Sequence, residues 1–178
     1  MKYLVLLRGV NVGGHSRVVM KELAEKLKNA GFDQVKTYIN SGNLFLASGL
    51  SSIEVKQRLD QLLHQAYDFE IPTLVLSAAE YQQDFDHQPN WWGEDPLLRH
   101  NALFLLPNFD LEAFQTLTTK VTLYDHIKLG QRVIFWTSTF KKDYSKSVYA
   151  KLARTPLYKE VTIRNRNTAL KLGTFLQE

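Results

Sequence analysis

The chain contains no cysteine. Disulfide cross-links, thiolate nucleophiles and cysteine-ligated metals are therefore excluded. Histidine is sparse too: five residues, at positions 15, 64, 87, 100 and 126, with no HxxxH or similar metal-ligating interval. A metal centre is not expected from that spacing. No G-x-S-x-G nucleophile elbow is present. Long apolar runs are also missing. The N-terminal one, Lys2-Tyr-Leu-Val-Leu-Leu, stops at Leu7 and meets Arg8. That is too short for a signal peptide or a membrane span, so a cytoplasmic protein without a membrane partner is expected.

What is present is ordinary in amount and uneven in placement. Hydrophobic residues are 44% and charged residues 22% of 178 positions, as in soluble globular proteins. This length suits one large domain or two small ones. The net charge is +4. From Lys141 to Lys171 there are nine Lys/Arg against Asp143 and Glu160, a net +7, leaving −3 for the rest of the chain. A basic segment beside a slightly acidic body points to an anionic partner; the plain alternative is a solvated lysine-rich face.

The hydrophobic pattern repeats. Lys2–Arg8 reads as a strand apolar on both faces. Val19–Ala30 carries Met20, Leu23, Ala24 and Leu27 at helical spacing, with Gly31 as its stop. Val35–Asn40 and Asn43–Ala47 are β-type runs around the turn Asn40-Ser-Gly-Asn43. Ser51-Ser-Ile-Glu54 is a capping box that opens a helix. Ile71–Leu76 is a strand, and Ser77–Phe85 a short helix. Residues 86–99 break the rhythm with proline and glycine; Trp91-Trp92 within them is read as packing between the two halves. The order then recurs: strand Asn101–Leu106, helix Asp110–Thr119, a hairpin over Leu123–Leu129 and Val133–Ser138, helix Tyr144–Ala153, strand Glu160–Ile163, and a helix from Arg164 onward.

Each half thus reads β-α-β-β-α-β followed by a helix. The fold class expected is α+β, two ferredoxin-like halves in tandem, each with an antiparallel sheet and packed helices, plus a C-terminal helix. The expected divisions are 1–86, a connection 87–99, and 100–178. In this topology the first and third strands are central, and the Arg8–Arg17 loop lies beside the Asn40–Asn43 turn. Both strand-one segments and Val133-Ile-Phe-Trp136 are apolar on both sides. Burial is worth ~25 cal/mol per Å² of apolar area, so the second sheet faces are expected to be covered.

Four motifs in order carry a family resemblance: Leu7-Arg-Gly-Val-Asn-Val-Gly-Gly14, Met20-Lys-Glu-Leu23, Thr37-Tyr-Ile-Asn-Ser-Gly-Asn43 and Thr162-Ile-Arg-Asn-Arg-Asn-Thr168. Over essentially its whole length the chain resembles domain-of-unknown-function family 1697. Members usually show lysine where this chain has His15, glutamine at Asn40 and tryptophan at Arg166. The resemblance implies a bacterial cytosolic protein of two ferredoxin-like halves and supplies no activity. It marks Arg8, Gly9, Asn11, Gly13, Gly14, Ser41, Gly42, Asn43, Arg164, Asn165, Asn167 and Thr168.

Two stretches are candidates for chemistry. Gly9, Gly14 and Ser16 match the spacing of a phosphate-binding P-loop, but histidine replaces the essential lysine and the βαβ repetition is lacking. ATP hydrolysis by that route is rejected. A looser anion site at the loop remains, built from glycine N–H groups with Arg8, Arg17 and Lys21 nearby; the alternative is a turn needing positive φ. The second stretch is Thr162–Thr168. Asn165 suits a helix N-cap with Thr168 completing it. Arg164 and Arg166 at a helix start would oppose the helix dipole unless an anion binds there.

Ser41 reads as turn chemistry rather than as a nucleophile. His64 reads as a surface residue, and Asp84/Asp86 as solvated loop carboxylates. Tyr149 reads as core.

The function expected is binding of a phosphate-bearing ligand, a nucleotide or a nucleic acid. The ligand set is Arg8, Asn11, Gly13, Gly14, Ser41, Asn43, Arg164, Asn165, Asn167 and Thr168, with no catalytic group, metal or cofactor assigned. The alternatives are an enzyme using a polar cleft near Arg8 and Ser41, and a structural or interaction protein.

Overall fold

The computed structural model describes residues 1–178. The first run of elements is β1 (Lys2–Leu7), α1 (Met20–Asn29), β2 (Asp33–Tyr38), β3 (Asn43–Ala47), α2 (Ser52–Ala66), β4 (Thr73–Ser77) and α3 (Ala78–Phe85). The second is β5 (Arg99–Leu105), α4 (Leu111–Thr118), β6 (Asp125–Leu129), β7 (Val133–Ser138), α5 (Val148–Leu152), β8 (Val161–Asn165) and α6 (Arg166–Gln177). Two four-stranded antiparallel sheets result, in the orders β2-β3-β1-β4 and β6-β7-β5-β8. The first and third strands of each run are central, as the sequence order requires. No helix is long and apolar enough to cross a membrane.

Local chemistry sets the boundaries. Ser51 and Glu54 form the expected capping box on α2: Ser51 Oγ accepts the Glu54 N–H, and the Glu54 carboxylate accepts the Ser51 N–H at 2.9 Å. Asp110 caps α4 by accepting the Ala113 N–H at 2.9 Å. Gly31 (φ +88°) ends α1, with the Phe32 N–H returning to Leu27 O and the Gly31 N–H to Lys28 O. That pair of bonds needs a left-handed residue, which glycine adopts without Cβ strain.

The chain divides into two compact units, Met1–Gln82 with Leu172–Glu178, and Gln83–Lys171. Residues 87–99 therefore fall inside the second unit, and the last turns of α6 go with the first. In unit 1, Tyr3, Val5, Leu7, Leu44 and Leu46 pack against Leu23, Leu27, Val55, Leu59 and Leu63 of α1 and α2. On the other side of β1, Leu4 and Leu6 are fully buried as well. There Phe175 of α6 meets Phe45 and Tyr38, with ring centroids 5.3 and 5.1 Å apart. In unit 2, Leu103, Leu105, Ile134, Trp136 and Val161 pack against Phe114, Val148, Tyr149 and Leu152. Across that sheet, Phe104 and Phe135 meet Phe85 at 6.3 and 5.3 Å, and Trp92 lies 5.0 Å from Phe135. Both sheets thus have two covered faces, as the doubly apolar strands require.

Four sequence expectations change. Trp92 packs within unit 2, donating its indole N–H to Asn101 O at 3.0 Å, and Trp91 lies beside His126 of the same unit. The Tyr144–Ala153 helix is broken: Asp143 is left-handed (φ +60°), Tyr144–Lys146 forms one 3-10 turn, and Ser147 is extended before α5. Ser147 Oγ then caps α5 through the Ala150 N–H, so the hydroxyl competes with helix continuation. Strand β8 runs two residues past Ile163 because its ladder with β5 extends to Asn101↔Asn165. Asp84 is not a loop carboxylate. It is a buried residue of α3 whose two oxygens accept the Gln131 and Arg132 N–H groups of the β6–β7 turn at 2.8 and 2.6 Å.

Candidate functional site

The glycine loop leaves β1 at one end of the first sheet. Leu7 N–H donates to Gly42 O (2.8 Å) and Arg8 N–H to Pro72 O (2.9 Å). The loop, the β2–β3 turn and the start of β4 therefore meet, as the strand order dictates. Gly42 has φ +80°, and a Cβ there would lie 2.7 Å from Leu7 Cβ and 2.9 Å from Val10 Cγ2. Only glycine permits this approach.

The asparagines of the two motifs hold the backbone. Asn11 (φ +56°) donates through Nδ2 to Val18 O at 2.9 Å and to Asn40 O at 2.8 Å, while its Oδ1 accepts the Val18 N–H at 2.8 Å. It ties both ends of the loop together and to the neighbouring turn. Asn43 is fully buried, and its Nδ2 donates to Tyr38 O (3.0 Å) and Ser41 Oγ (2.9 Å). Gly13 and Gly14 have φ +61° and +75° and open space where a Cβ would stand. Their role is the positive φ of an exposed tip closed by His15 N–H to Val12 O at 3.2 Å. The Gly13 and Gly14 N–H groups make no bond within the chain, and exposed His15 and Arg17 follow.

The second motif belongs to unit 2 and takes a different form from the expected anion-binding helix start. Arg164 stands in β8, opposite Ala102, and is only 7% exposed. Its guanidinium donates to Thr162 Oγ1 and Ile163 O, both at 2.9 Å, and burial pulls its pKa down to about 10. Asn165 is the cap, accepting the Thr168 N–H at 2.8 Å. Arg166 donates through Nε to Trp92 O (2.9 Å), with its guanidinium 5.5 Å from the Trp92 ring. Gly93 makes room for it, since a Cβ would fall 2.1 Å from that Nε. Asn167 is exposed and Thr168 half-buried. The five residues are thus a strand end, a cap and a clip on Trp92, with no shared ligand cradle among them.

Two polar networks escaped the sequence reading. Asp125 is 3% exposed and accepts four hydrogen bonds, from Thr122 Oγ1 (2.7 Å), Trp136 Nε1 (3.0 Å), Val148 N (2.7 Å) and Tyr149 N (3.1 Å). It fastens the start of α5 to the sheet. His100 Nε2 lies 2.6 Å from Asp95 O, and Nδ1 accepts the Gly93 N–H at 3.0 Å with Thr137 Oγ1 at 2.7 Å. That geometry assigns the ring proton to Nε2. Local sequence marks neither: Asp125 opens the mixed strand DHIKL, and His100 lies in the polar start, Arg-His-Asn, of β5.

The exposed charge is concentrated in the β7–β8 crossover. Val148, Tyr149, Leu152 and Leu157 turn into the core, and Lys141, Lys142, Lys151, Arg154 and Lys159 turn out. None of those five cations forms a salt bridge, though the Asp143 carboxyl, held below the usual range chiefly by its bond to Lys146, is lowered further by nearby Lys142. The two acids of the stretch are spent: Asp143 holds Lys146 at 2.7 Å, and Glu160 accepts the Asp110 N–H at 2.9 Å.

The structure is similar to that of a conserved bacterial protein from Streptococcus pneumoniae, with 34% identity over 98% of both chains and a TM-score of 0.89. No curated protein matches the chain. The family described as "Protein of unknown function (DUF1697)" matches residues 1–135. The glycine loop, the Ser-Gly-Asn turn and the sheet order they organise all lie in that span, and the chain belongs to domain-of-unknown-function family 1697.

Proposed function

We propose that this protein binds a phosphate-bearing polyanion, a nucleic acid, in a cytoplasmic setting, and that unit 2 supplies the main contact. The observation that carries this reading is the crossover layer with an apolar inner side and five unpaired, exposed cations outside. A stable helix face can carry lysines for solvation alone, but acids usually accompany them. Here both acids of the stretch are already engaged. Such a surface attracts phosphodiester backbones by counterion release, without sequence readout. The Gly13–Gly14 tip, with free N–H groups and Arg17 close by, adds a second, smaller point of phosphate contact.

Fluorescence anisotropy of a labelled oligonucleotide across a salt series tests the reading. Five neutralised phosphates give a slope of log K against log[salt] of about −3.5 for single strands and about −4.5 for duplex. The triple variant Lys141→Glu/Lys142→Glu/Lys151→Glu should flatten the slope and weaken binding at least tenfold. Undetectable binding of the wild type at low salt, or affinity indifferent to the charge reversals, would sink the proposal.

A further inference from the structure

Resting on that reading, we infer that the groove between residues 96–98 and 139–142 accepts an unpaired nucleobase, stacked on Phe140, with its phosphates held by Lys141 and Lys142. The protein is then a reader of single strands. Arg99 and Ser138 are paired across β5 and β7. The segments outside them, Pro96–Leu98 and Thr139–Lys142, thus leave the sheet side by side. Between them lies an open groove of about 530 Å³, within the ~300–1,000 Å³ of small-ligand sites.

The groove's composition is specific. Phe140 is 48% exposed and Leu97 82% exposed. The Phe140 ring is backed by the Arg99 guanidinium, 4.5 Å from its centroid, which itself lies 5.6 Å from the Tyr144 ring. This stack fixes the aromatic plane, so little rotamer freedom is lost when a base settles on it. Lys141 and Lys142 follow directly and are exposed, neither of them in a salt bridge, although Asp143 feels the charge of Lys142. Asp143, next to Lys142 in sequence, holds Lys146 at 2.7 Å, and Asp95, beside Pro96, accepts the Leu97 N–H at 2.8 Å. Thr139 is part of the groove lining, while its own hydroxyl and that of Ser138 are buried beneath the surface.

An aromatic plane with flanking lysines is the device by which single strands are bound without sequence preference. A duplex keeps its base faces inside its own stack and cannot use the plane. An acidic peptide would satisfy the lysines but has no flat partner for Phe140.

The test compares a labelled dT20 with a duplex of equal length and with poly-glutamate, at matched salt, against wild type, Phe140→Ala and Phe140→Trp. Circular dichroism verifies that the variants fold. The expectation is roughly tenfold or greater preference for the single strand. Phe140→Ala should abolish that preference and leave duplex affinity in place. Phe140→Trp should restore it, with indole fluorescence quenched on binding. Equal affinity for both nucleic acids, a preference that survives Phe140→Ala, or Phe140-dependent binding of poly-glutamate would each overturn the inference while leaving the basic surface standing. No binding to any of the three polyanions would overturn the proposed function and this inference with it.

Discussion

Replacing Asp125 by alanine tests how the basic layer is held. The carboxylate is 3% exposed and takes four donors: the Trp136 indole, the Val148 and Tyr149 amides and the Thr122 hydroxyl. The Thr122 hydroxyl can rotate to a new partner, but the three N–H groups are fixed in direction. Each buried donor left unpaired costs ~1–3 kcal/mol. Removing the carboxylate also returns its own desolvation cost, which offsets part of the sum. The net expected loss is about 3–5 kcal/mol, a large part of the ~5–15 kcal/mol typical of a whole domain.

Asp125→Asn keeps the shape and one acceptor but turns an NH₂ toward two of the donors, so it should cost roughly half as much. Urea unfolding measures both variants. Amide exchange should show Val148 and Tyr149 losing protection ahead of the β5–β7 ladder, because α5 detaches first. In a double-mutant cycle, Trp136→Phe should cost less in the Asp125→Ala background than in wild type, by about 1 kcal/mol or more. A loss below about 1 kcal/mol for Asp125→Ala, or strict additivity in the cycle, would refute the reasoning.

Two further predictions concern the turn and the tyrosines. Gly42→Ala combines a left-handed backbone with a Cβ placed 2.7 Å from Leu7 Cβ. It should cost more than ~2 kcal/mol in a thermal or urea melt, whereas Gly13→Ala, with the same backbone sign and open space, should cost only ~1 kcal/mol. Equal losses would show that the contact with Leu7 is immaterial. Burial pushes the Tyr149 hydroxyl up to about 12 from its ordinary 10, so the protonated form is favoured in the folded chain. Its stabilisation is complete below pH 10 and disappears as pH rises through 12, a loss of about 2–3 kcal/mol. Urea melts between pH 9 and 12 should therefore fall less steeply for Tyr149→Phe than for wild type. The comparison cancels the opposite contribution of Arg164, and parallel curves would refute it.

The fold was legible because its signals are periodic. Doubly apolar strands at Leu4–Leu6 and Ala102–Phe104 announced two central strands with both faces covered, and these residues are fully buried. Capping residues Ser51 and Asp110 set helix starts that the structure repeats. What was not legible depended on contacts distant in sequence. Nothing local marks Asp84 as the acceptor for amides 47 and 48 residues away, or Gly130 as the glycine whose Cβ would fall 2.5 Å from Asp84 Oδ1. The break at Ser147 was missed for the converse reason. Val148, Tyr149 and Leu152 keep helical spacing, and only the hydroxyl cap and the left-handed Asp143 interrupt it.

Glycine and asparagine cluster wherever a chain must turn tightly, and a ligand cradle also needs tight turns, so composition alone does not separate the two. Hydrogen bonds do. Asn11 directs both ends of its amide at backbone groups, and Asn43 directs its amide nitrogen at Tyr38 O and Ser41 Oγ. Arg164 is nearly enclosed in a strand, and Asn165 is consumed as a cap. A side chain whose donors are already placed gains little from a ligand and would have to break bonds to meet one. The cations of the crossover are in the opposite state. They are exposed, form no salt bridge, and are carried by a layer that Asp125 fastens from below. The proposed ligand binding is therefore assigned to the lysines of the crossover, and the family motifs supply the turns that hold the first sheet and the strand end that leads into α6.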